Sequence, residues 1–318
     1  MKTQLTLRDV REAHERIRPY IHDTPVLTCS ALDRMTGAKL FFKCENFQKV
    51  GAFKFRGATN AIFSLSDEAA QRGVVTHSSG NHAAALALAA RNRGITARIV
   101  MPSNAPPVKV AAVETYGGQI TFCEPKPRAR EETAERVVQE TGATLVHPSN
   151  DLPVIAGQGT AALELLEKVG DLDFILTPLG GGGLLSGTAV AVKGSNPKIR
   201  VVGCEPKNAD DAYRSIRAGR ILSSENPDTI ADGLRTSLGS NTFPIIRDLV
   251  DDIVLAAEEE IIRAMQTVFE RMKIVIEPSS AVPVAVLLSN KLRIEGKGVG
   301  VILSGGNVDF TDFFNKIE

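Results

Sequence analysis

A single lysine stands between two aromatic residues in the segment GAFKFRGA, residues 51–58. An amine attacks a carbonyl group only after losing its proton, and apolar neighbours that desolvate a lysine lower its pKa. Lys54 is therefore the first candidate in the chain for the covalent anchor of an aldehyde cofactor. The segment alone leaves open a second interpretation, in which Lys54 is a surface lysine on an amphipathic element.

Four consecutive glycines, Gly180 to Gly183, follow a predicted strand and precede a predicted helix that begins at Leu184. Such a run lets backbone N–H groups converge on an anion at a helix N-terminus, so a phosphate group is the expected guest. A dinucleotide fingerprint needs glycines at i, i+2 and i+5, which no register supplies, and a P-loop needs a Lys-Ser/Thr pair that is absent. A flexible turn without a ligand remains the alternative.

A second corner between a predicted strand and helix carries small polar residues: Ser78, Ser79, Gly80, Asn81 and His82. Free N–H groups at a helix start suit a carboxylate, while Ser79 could exchange a proton and Asn81 could donate to a phenolate oxygen. Ordinary helix capping by Ser and Asn explains the same residues. The histidines at positions 77 and 82 lack metal-ligand spacing, which argues against zinc.

A third corner, SGGN at residues 304–307, closes a predicted strand. The Ser304 hydroxyl could hydrogen-bond a ring nitrogen, whereas the alternative is a strand terminator followed by a glycine turn. The segment EPSS at residues 277–280 ends one element and begins another, and local evidence favours a helix N-terminus with a serine cap.

The composition bounds the class of protein. The length of 318 residues predicts about two domains. The chain has 37 basic and 37 acidic residues, so its net charge gives no reason to expect nucleic acid or a membrane surface as a partner. The four cysteines are scattered without a CxxC pair, as in a reducing cytoplasm. The N-terminus lacks the apolar segment of a secretory signal, and no apolar run reaches the ~18 residues of a membrane span.

Short β-branched runs alternate with alanine-rich helical stretches from residue 73 onward. This alternation predicts an α/β fold with parallel sheets covered by helices on both faces. The predicted strands are 74–77, 97–101, 119–123, 144–147, 173–179, 200–205 and 299–304, and the predicted helices are 81–93, 130–141, 159–169, 184–193, 258–273 and 281–291.

The motifs GAFKFRGA, SSGNH, GGGG, EPSSA and SGGN, in this order, resemble those of the fold-type II pyridoxal-phosphate enzymes, the tryptophan synthase β-like class. The likeness spans essentially the whole chain. It is greatest to serine racemases and threo-3-hydroxyaspartate ammonia-lyases, with threonine dehydratases more distant. It implies two open, twisted, parallel-rich sheets, with a large cofactor-binding domain of residues 1–68 and 148–318 and a small mobile domain of residues 69–147. A homodimer and a nucleotide activator are also implied.

The resemblance assigns cofactor-binding roles residue by residue. Lys54 would form the Schiff base with pyridoxal 5'-phosphate, Phe53 would pack beside the ring, and Asn81 would hold the ring hydroxyl. Ser304 would face the pyridine nitrogen, and Gly233 and Glu277 would line the ring's edge. The remaining cofactor residues implied are those of the phosphate cradle: Gly180, Gly181, Gly182, Gly183 and Leu184.

The expected substrate is a small hydroxy amino acid. Its carboxylate would lie against the loop from Ser78 to His82, with Arg130 as a second contact or, alternatively, a solvated helix charge. Lys54 would take the Cα proton and Ser79 would act on the opposite face. Racemisation of serine with β-elimination to pyruvate and ammonia is expected, and the alternative is an ammonia-lyase acting on L-threo-3-hydroxyaspartate, threonine or serine.

The resemblance also implies a divalent-cation site at Glu205, Ala209 and Asp211. Two carboxylates and a backbone carbonyl are hard ligands that suit Mg²⁺, Mn²⁺ or Ca²⁺. An acidic loop that caps the next helix is the alternative. Two other classes are weighed for the whole chain: a nicotinamide-dependent dehydrogenase, which the glycine spacing disfavours, and a non-enzymatic protein that retains the cofactor pocket.

Overall fold

The computed structural model describes residues 5–225 and 227–309 and contains two sheets. The strands within these ranges are β1 (Val26–Leu27), β2 (Lys39–Cys44), β3 (Val74–His77), β4 (Ala97–Pro102), β5 (Gln119–Cys123), β6 (Thr144–Leu145), β7 (Phe174–Pro178), β8 (Arg200–Pro206), β9 (Asp252–Ala256) and β10 (Gly298–Leu303). The six-stranded sheet has the order β1-β2-β10-β7-β8-β9, and the four-stranded sheet has the order β5-β4-β3-β6.

Helices pack against both sheets. They are α1 (Leu7–Ile17), α2 (Ser30–Thr36), α3 (Lys54–Phe63), α4 (Asp67–Gln71), α5 (Asn81–Arg93), α6 (Pro107–Thr115), α7 (Pro127–Thr141), α8 (Leu152–Lys168), α9 (Gly183–Ser195), α10 (Asp211–Ala218), α11 (Thr242–Leu249), α12 (Glu258–Met272) and α13 (Pro278–Leu288). Within the described ranges, no helix is long and apolar enough to cross a membrane.

The predicted parallel α/β architecture is confirmed. Every pairing between these strands is parallel except that of β1 with β2. All five residues of β7 are buried, as are the last five of β10, because helices cover both faces of the six-stranded sheet. The four-stranded sheet comes from one stretch of chain between Val74 and Leu145, whereas the other sheet collects strands from both sides of that stretch.

Some predicted boundaries are wrong for identifiable reasons. Helix α8 begins at Leu152 and not at Gly159, because its glycines lie inside the helix at close helix contacts. A Cβ on Gly157 would come within 2.7 Å of the Gly57 Cα, and one on Gly159 within 2.6 Å of the Gly187 carbonyl oxygen. Helix α13 begins at its proline, Pro278, three residues before the predicted start. Three of the described strands, β1, β2 and β9, lie outside the predicted ones.

The chain corners singled out from sequence lie at the carboxyl ends of parallel strands. Strand β3 leads into the Ser78–His82 loop, β7 into the glycine run, β8 into the Glu205 segment and β10 into Ser304. In open α/β sheets this edge is where ligands bind. The topology therefore gathers these loops on the carboxyl edges of the two sheets.

Candidate active site

Lys54 is the first residue of α3, and its Nζ donates a hydrogen bond to the Pro148 carbonyl oxygen at 2.8 Å. Burial lowers the pKa of Lys54 to about 8, against the opposing effect of the negative charge of Glu277. The Nζ also lies 5.1 Å from the centre of the Phe53 ring. The structure thus supplies an amine that loses its proton far more readily than an ordinary lysine.

The backbone joins Lys54 to the end of β10. The Phe53 N–H donates to the Ser304 carbonyl oxygen at 2.9 Å, and Ala52 forms a β-bridge with Gly305. Ser304 itself is 2% exposed. These contacts bring the lysine and the serine of two distant motifs together, as the resemblance requires.

Glu277 and Asn81 meet across the two sheets. The Asn81 Nδ2 donates to both carboxylate oxygens of Glu277, at 3.1 and 3.0 Å, and its Oδ1 accepts from the Asn307 side chain at 3.0 Å. Burial raises the pKa of Glu277 to about 7, although the hydrogen bond from Asn81 opposes the shift. The Glu277 N–H donates to the Gly305 carbonyl oxygen at 3.0 Å, so this carboxyl group lies beside the Ser304 corner.

The glycine run forms a tight turn between β7 and α9. Gly182 has a φ of +83°, which favours glycine, and a Cβ on Gly181 would lie 2.5 Å from the Ser149 Oγ. In the described part of the chain, the N–H groups of Gly181 and Gly182 have no protein acceptor. Free N–H groups beside a hydroxyl and a helix N-terminus form a cradle whose polarity fits a phosphate group.

The edge of this turn is built by the segment around residues 233–236. A Cβ on Gly180 would lie 2.9 Å from the Leu234 Cα and 3.1 Å from the Thr236 Oγ1. The Gly233 N–H donates to the Ser279 Oγ at 3.1 Å, which joins this segment to the start of α13. Gly233 and Glu277 therefore lie on elements that contact each other, and their role at the edge of the cofactor ring stays a prediction.

The Ser78–His82 loop leads from β3 into α5. Ser79 is half-buried, and the Gly80 N–H donates to the Ser78 Oγ at 3.3 Å. Burial holds the pKa of His82 well below its ordinary value, and the positive charge of Lys54 adds to that effect. The His82 Nε2 and the Lys54 Nζ each make a hydrogen bond to the segment 146–148, to the carbonyl oxygens of Val146 at 3.4 Å and Pro148 at 2.8 Å.

Two further histidines lie beside this loop. The rings of His77 and His147 are edge to face, with centres 5.4 Å apart. Burial lowers the pKa of His77, Glu131 opposes the shift, and the positive charge of Arg130 adds to it, so Arg130 is near this pair. The His147 Nδ1 accepts the N–H groups of Ser149 and Asn150, at 3.2 and 2.9 Å, and burial lowers its pKa to about 4.

The predicted cation ligands lie together at the end of β8. The Glu205 carboxylate accepts the N–H groups of Ala212 and Tyr213, both at 2.9 Å. Burial raises the pKa of Glu205 to about 8 and that of Asp211 to about 6. Neither Asp211 oxygen accepts a hydrogen bond of normal geometry in the described residues, although the Ser224 hydroxyl is near enough to lower its pKa slightly. A buried carboxylate with free oxygens fits a hard cation.

The described residues contain no group of three or more His, Cys, Asp and Glu side chains arranged to hold a metal. A cation at Glu205 and Asp211 would therefore depend also on the Ala209 carbonyl and on water. Ala209 is 3% exposed and ends the short turn between the two carboxylates.

Comparison with known proteins identifies the family. The model of the family described as pyridoxal-phosphate dependent enzyme matches residues 17–305. The chain belongs to this family. Serine racemase from Arabidopsis thaliana is 53% identical over 314 residues, 97% of this chain and 95% of that protein. The β-hydroxyaspartate dehydratase of Paracoccus denitrificans is 52% identical over 304 residues, 96% of each chain.

A solved structure of maize serine racemase aligns with a TM-score of 0.95 and 50% identity, covering 98% of this chain and 96% of that one. The predicted fold-type II class is therefore confirmed, and so is the predicted resemblance to serine racemases and hydroxyaspartate lyases. The Lys54 amine, the glycine cradle and the Ser304 corner are a donor set that suits the aldehyde, phosphate and ring nitrogen of pyridoxal phosphate.

Sequence reasoning missed several residues of the site. Ser149 and Thr236 contact the glycine run, and Asn307 joins Asn81 to the Val50 carbonyl oxygen at 2.7 Å. Ser149 and Thr236 carry no spacing pattern that would single them out, whereas Asn307 ends the SGGN motif, which was the available signal. A larger omission is a buried group of charged side chains behind Lys54, for which the arginine within GAFKFRGA was the available signal.

Proposed function

We propose that this protein is a pyridoxal-phosphate-dependent serine racemase that also eliminates water from serine to give pyruvate and ammonia. The observation that carries the proposal is Lys54, a desolvated amine with a pKa of about 8 at the junction of the Ser304, Glu277 and Pro148 segments. The 53% identity to Arabidopsis serine racemase over 97% of this chain supports the choice of substrate.

The residues that would hold the cofactor follow from the site. Lys54 would bond its aldehyde carbon, residues 180–184 would bind its phosphate, and Asn81 and Ser304 would hydrogen-bond the ring hydroxyl and ring nitrogen. When bound, pyridoxal phosphate withdraws electrons from the bonds at the substrate Cα. Serine at the ring nitrogen does not enforce a ring proton as a carboxylate would, which favours proton transfer and β-elimination.

Proton transfer at Cα would then be divided between two side chains. The free Lys54 amine accepts the Cα proton from one face, and the Ser79 hydroxyl donates a proton to the other face, which inverts the configuration. The substrate carboxylate binds the N–H groups of the Ser78–His82 loop. Arg130 provides a second contact, to which it brings a positive charge. If the β-hydroxyl group leaves with a proton as water, later hydrolysis yields pyruvate and ammonia.

The same proposal includes a divalent cation at Glu205, Ala209 and Asp211, in a structural and activating role. It also includes a large domain of residues 1–68 and 148–318 and a small mobile domain of residues 69–147, which the separation of the two sheets supports. A homodimer follows from the resemblance, and nucleotide activation is a property of some of the proteins that the chain resembles. A cytoplasmic location follows from the cysteines, and the four described cysteines are unpaired, as expected there.

A second candidate is an ammonia-lyase for L-threo-3-hydroxyaspartate, which would form oxaloacetate and ammonia. The Paracoccus relative favours it, being 52% identical over 96% of both chains. The positive charge of Arg130 near His77 would suit the second carboxylate of that substrate.

Product analysis separates the two candidates. Cofactor-loaded protein with Mg²⁺ is incubated with L-serine or with L-threo-3-hydroxyaspartate, and the D-enantiomer, keto acid and ammonia are measured. D-serine with pyruvate supports the racemase, whereas rapid oxaloacetate formation with little D-serine supports the lyase. Turnover that persists in Lys54→Ala would contradict both.

A further inference from the structure

Four charged side chains lie buried behind Lys54, on the side of α3 that faces α8. They are Lys43 of β2, Glu45, Arg56 of α3 and Glu164 of α8, which are 0%, 0%, 0% and 4% exposed. We call them the buried ion cluster. Two cations and two anions make it electrically balanced.

Arg56 is the centre of the buried ion cluster. Its Nε and Nη2 donate to the two oxygens of Glu45 at 2.6 and 2.8 Å, and its Nη1 and Nη2 donate to those of Glu164 at 2.7 and 2.8 Å. The Lys43 Nζ donates to Glu164 at 2.6 Å. A planar guanidinium group that binds two carboxylates through paired hydrogen bonds allows very little rotation or translation.

The charges hold one another in the ionised state. Burial alone would raise the pKa of Glu164, but the hydrogen bonds and charges of Arg56 and Lys43 lower it to about 2. The Glu45 and Glu164 carboxylates raise the pKa of Arg56 despite its burial. The Arg56 guanidinium and the Glu164 carboxylate therefore stay charged at neutral pH, while burial lowers the pKa of Lys43.

Three kinds of contact set the position of α3 along α8. Gly57 and Gly157 bring the two backbones into direct contact, since a Cβ on Gly157 would lie 2.7 Å from both the Arg56 carbonyl oxygen and the Gly57 Cα. Two uncharged hydrogen bonds also join the helices, from the Asn60 Nδ2 to the Pro153 carbonyl oxygen at 2.7 Å and from the Gly57 N–H to the Gln158 Oε1 at 3.2 Å. Arg56 adds the charged, paired hydrogen bonds to Glu164. Arg56 lies two residues after Lys54, about 200° around the helix axis, so it acts on the opposite face of the same first turn.

We propose that Arg56 is a positioning residue, which uses the buried ion cluster to fix the first turn of α3 and thereby the Lys54 amine. The inference rests on the proposed function only in taking Lys54 as the cofactor anchor. Arg56 acts through geometry and not through its charge, because the pKa of Lys54 responds to burial and Glu277 and not to the cluster. A displacement of about 1 Å at a reacting group can reduce a rate by about 100-fold.

Positioning can be separated from stability. Replacing a balanced buried ion pair by uncharged groups often leaves the free energy of unfolding unchanged, whereas removing one partner destabilises the fold. The test variant is R56M/E45Q, which removes one charge of each sign and leaves the Lys43–Glu164 pair at 2.6 Å. The control is Lys43→Met, which removes the other cation of the cluster and leaves all four hydrogen bonds of Arg56 to Glu45 and Glu164 in place. Because it leaves one carboxylate charge unbalanced, it should be no more stable than the test variant.

Four quantities are measured for each variant. They are the induced circular dichroism of the cofactor band and the kcat and KM for serine, all on the holoenzyme, and the urea midpoint of the apo-protein. In R56M/E45Q we expect a changed cofactor band and a kcat about 10- to 100-fold lower, with KM changed less than threefold. In Lys43→Met the band should be that of the wild type, and kcat should fall by less than threefold. The acid limb of the pH–rate profile should not move in either variant.

Equal losses in both variants, or losses that follow the urea midpoint alone, would overturn the inference. If R56M/E45Q does not fold, Arg56→Lys decides the question, because it retains the charge but loses the paired hydrogen bonds. An altered cofactor band and a lower kcat in that variant support positioning by the guanidinium group, and wild-type values refute it. A wild-type protein without a cofactor band would contradict the proposed function instead, so the two failures are distinct.

Discussion

The low pKa of Lys54 predicts how fast the apo-protein captures pyridoxal phosphate at each pH. A lysine with a pKa of about 8 is about 10% unprotonated at pH 7, against about 0.03% for a lysine with the ordinary value of about 10.5. Only the unprotonated amine attacks the aldehyde, so the capture rate per amine at pH 7 should exceed that of a free lysine by about 300-fold. Burial supplies this gain because it disfavours the ammonium form.

The assay is stopped-flow absorbance at the band of the covalently bound cofactor, from pH 7 to pH 10. The reference amine is Nα-acetyl-lysine, whose side-chain amine is free. The rate should rise with pH through about 8 and become constant above about 9, since the lowered pKa makes the free amine available there. Lys54→Ala should show no covalent phase. A rate that keeps rising tenfold per pH unit up to pH 10 would refute the proposed desolvation of Lys54.

Substitution of Glu277 provides an independent check of the same argument. The negative charge of Glu277 raises the pKa of Lys54, and Glu277 is itself ionised above a pKa of about 7. Glu277→Gln should therefore shift the midpoint of the capture profile to lower pH. A shift to higher pH would mean that the carboxylate does not act on the amine as a charge.

Three other predictions concern separate parts of the site. Ser79→Ala should lower D-serine formation by about 100-fold or more while pyruvate formation persists, as chiral chromatography and a keto-acid assay would show; equal losses would contradict reprotonation by Ser79. Gly181→Val should raise the Kd for pyridoxal phosphate at least tenfold in fluorescence titration, because the new Cβ would lie 2.5 Å from the Ser149 Oγ. An unchanged Kd would argue against phosphate binding by the glycine turn. Mg²⁺ should raise the Tm of the wild type but not of E205Q/D211N, and an equal rise in both would exclude this cation site.

The sequence by itself determined the motifs, the α/β class and the family, because these depend on local chemistry. The glycine run, the lysine between aromatics and the alternation of strands and helices are properties of short segments. Strands β3 and β5 and helix α5 have the predicted bounds, since each begins and ends at strong local signals. The assignments of single residues to cofactor, substrate and cation stay predictions until the experiments above are made.

The tertiary structure alone decided how these segments meet. The glycines of α8 suggested a helix start, and only the packing of Gly157 on Gly57 explains why they lie inside the helix. No spacing pattern links Lys43, Glu45, Arg56 and Glu164, because they come from separate elements that the fold brings to within hydrogen-bond distance. The pKa of Lys54 is likewise a tertiary property, since its causes are burial in the folded protein and the charge of Glu277, a residue far away in the sequence.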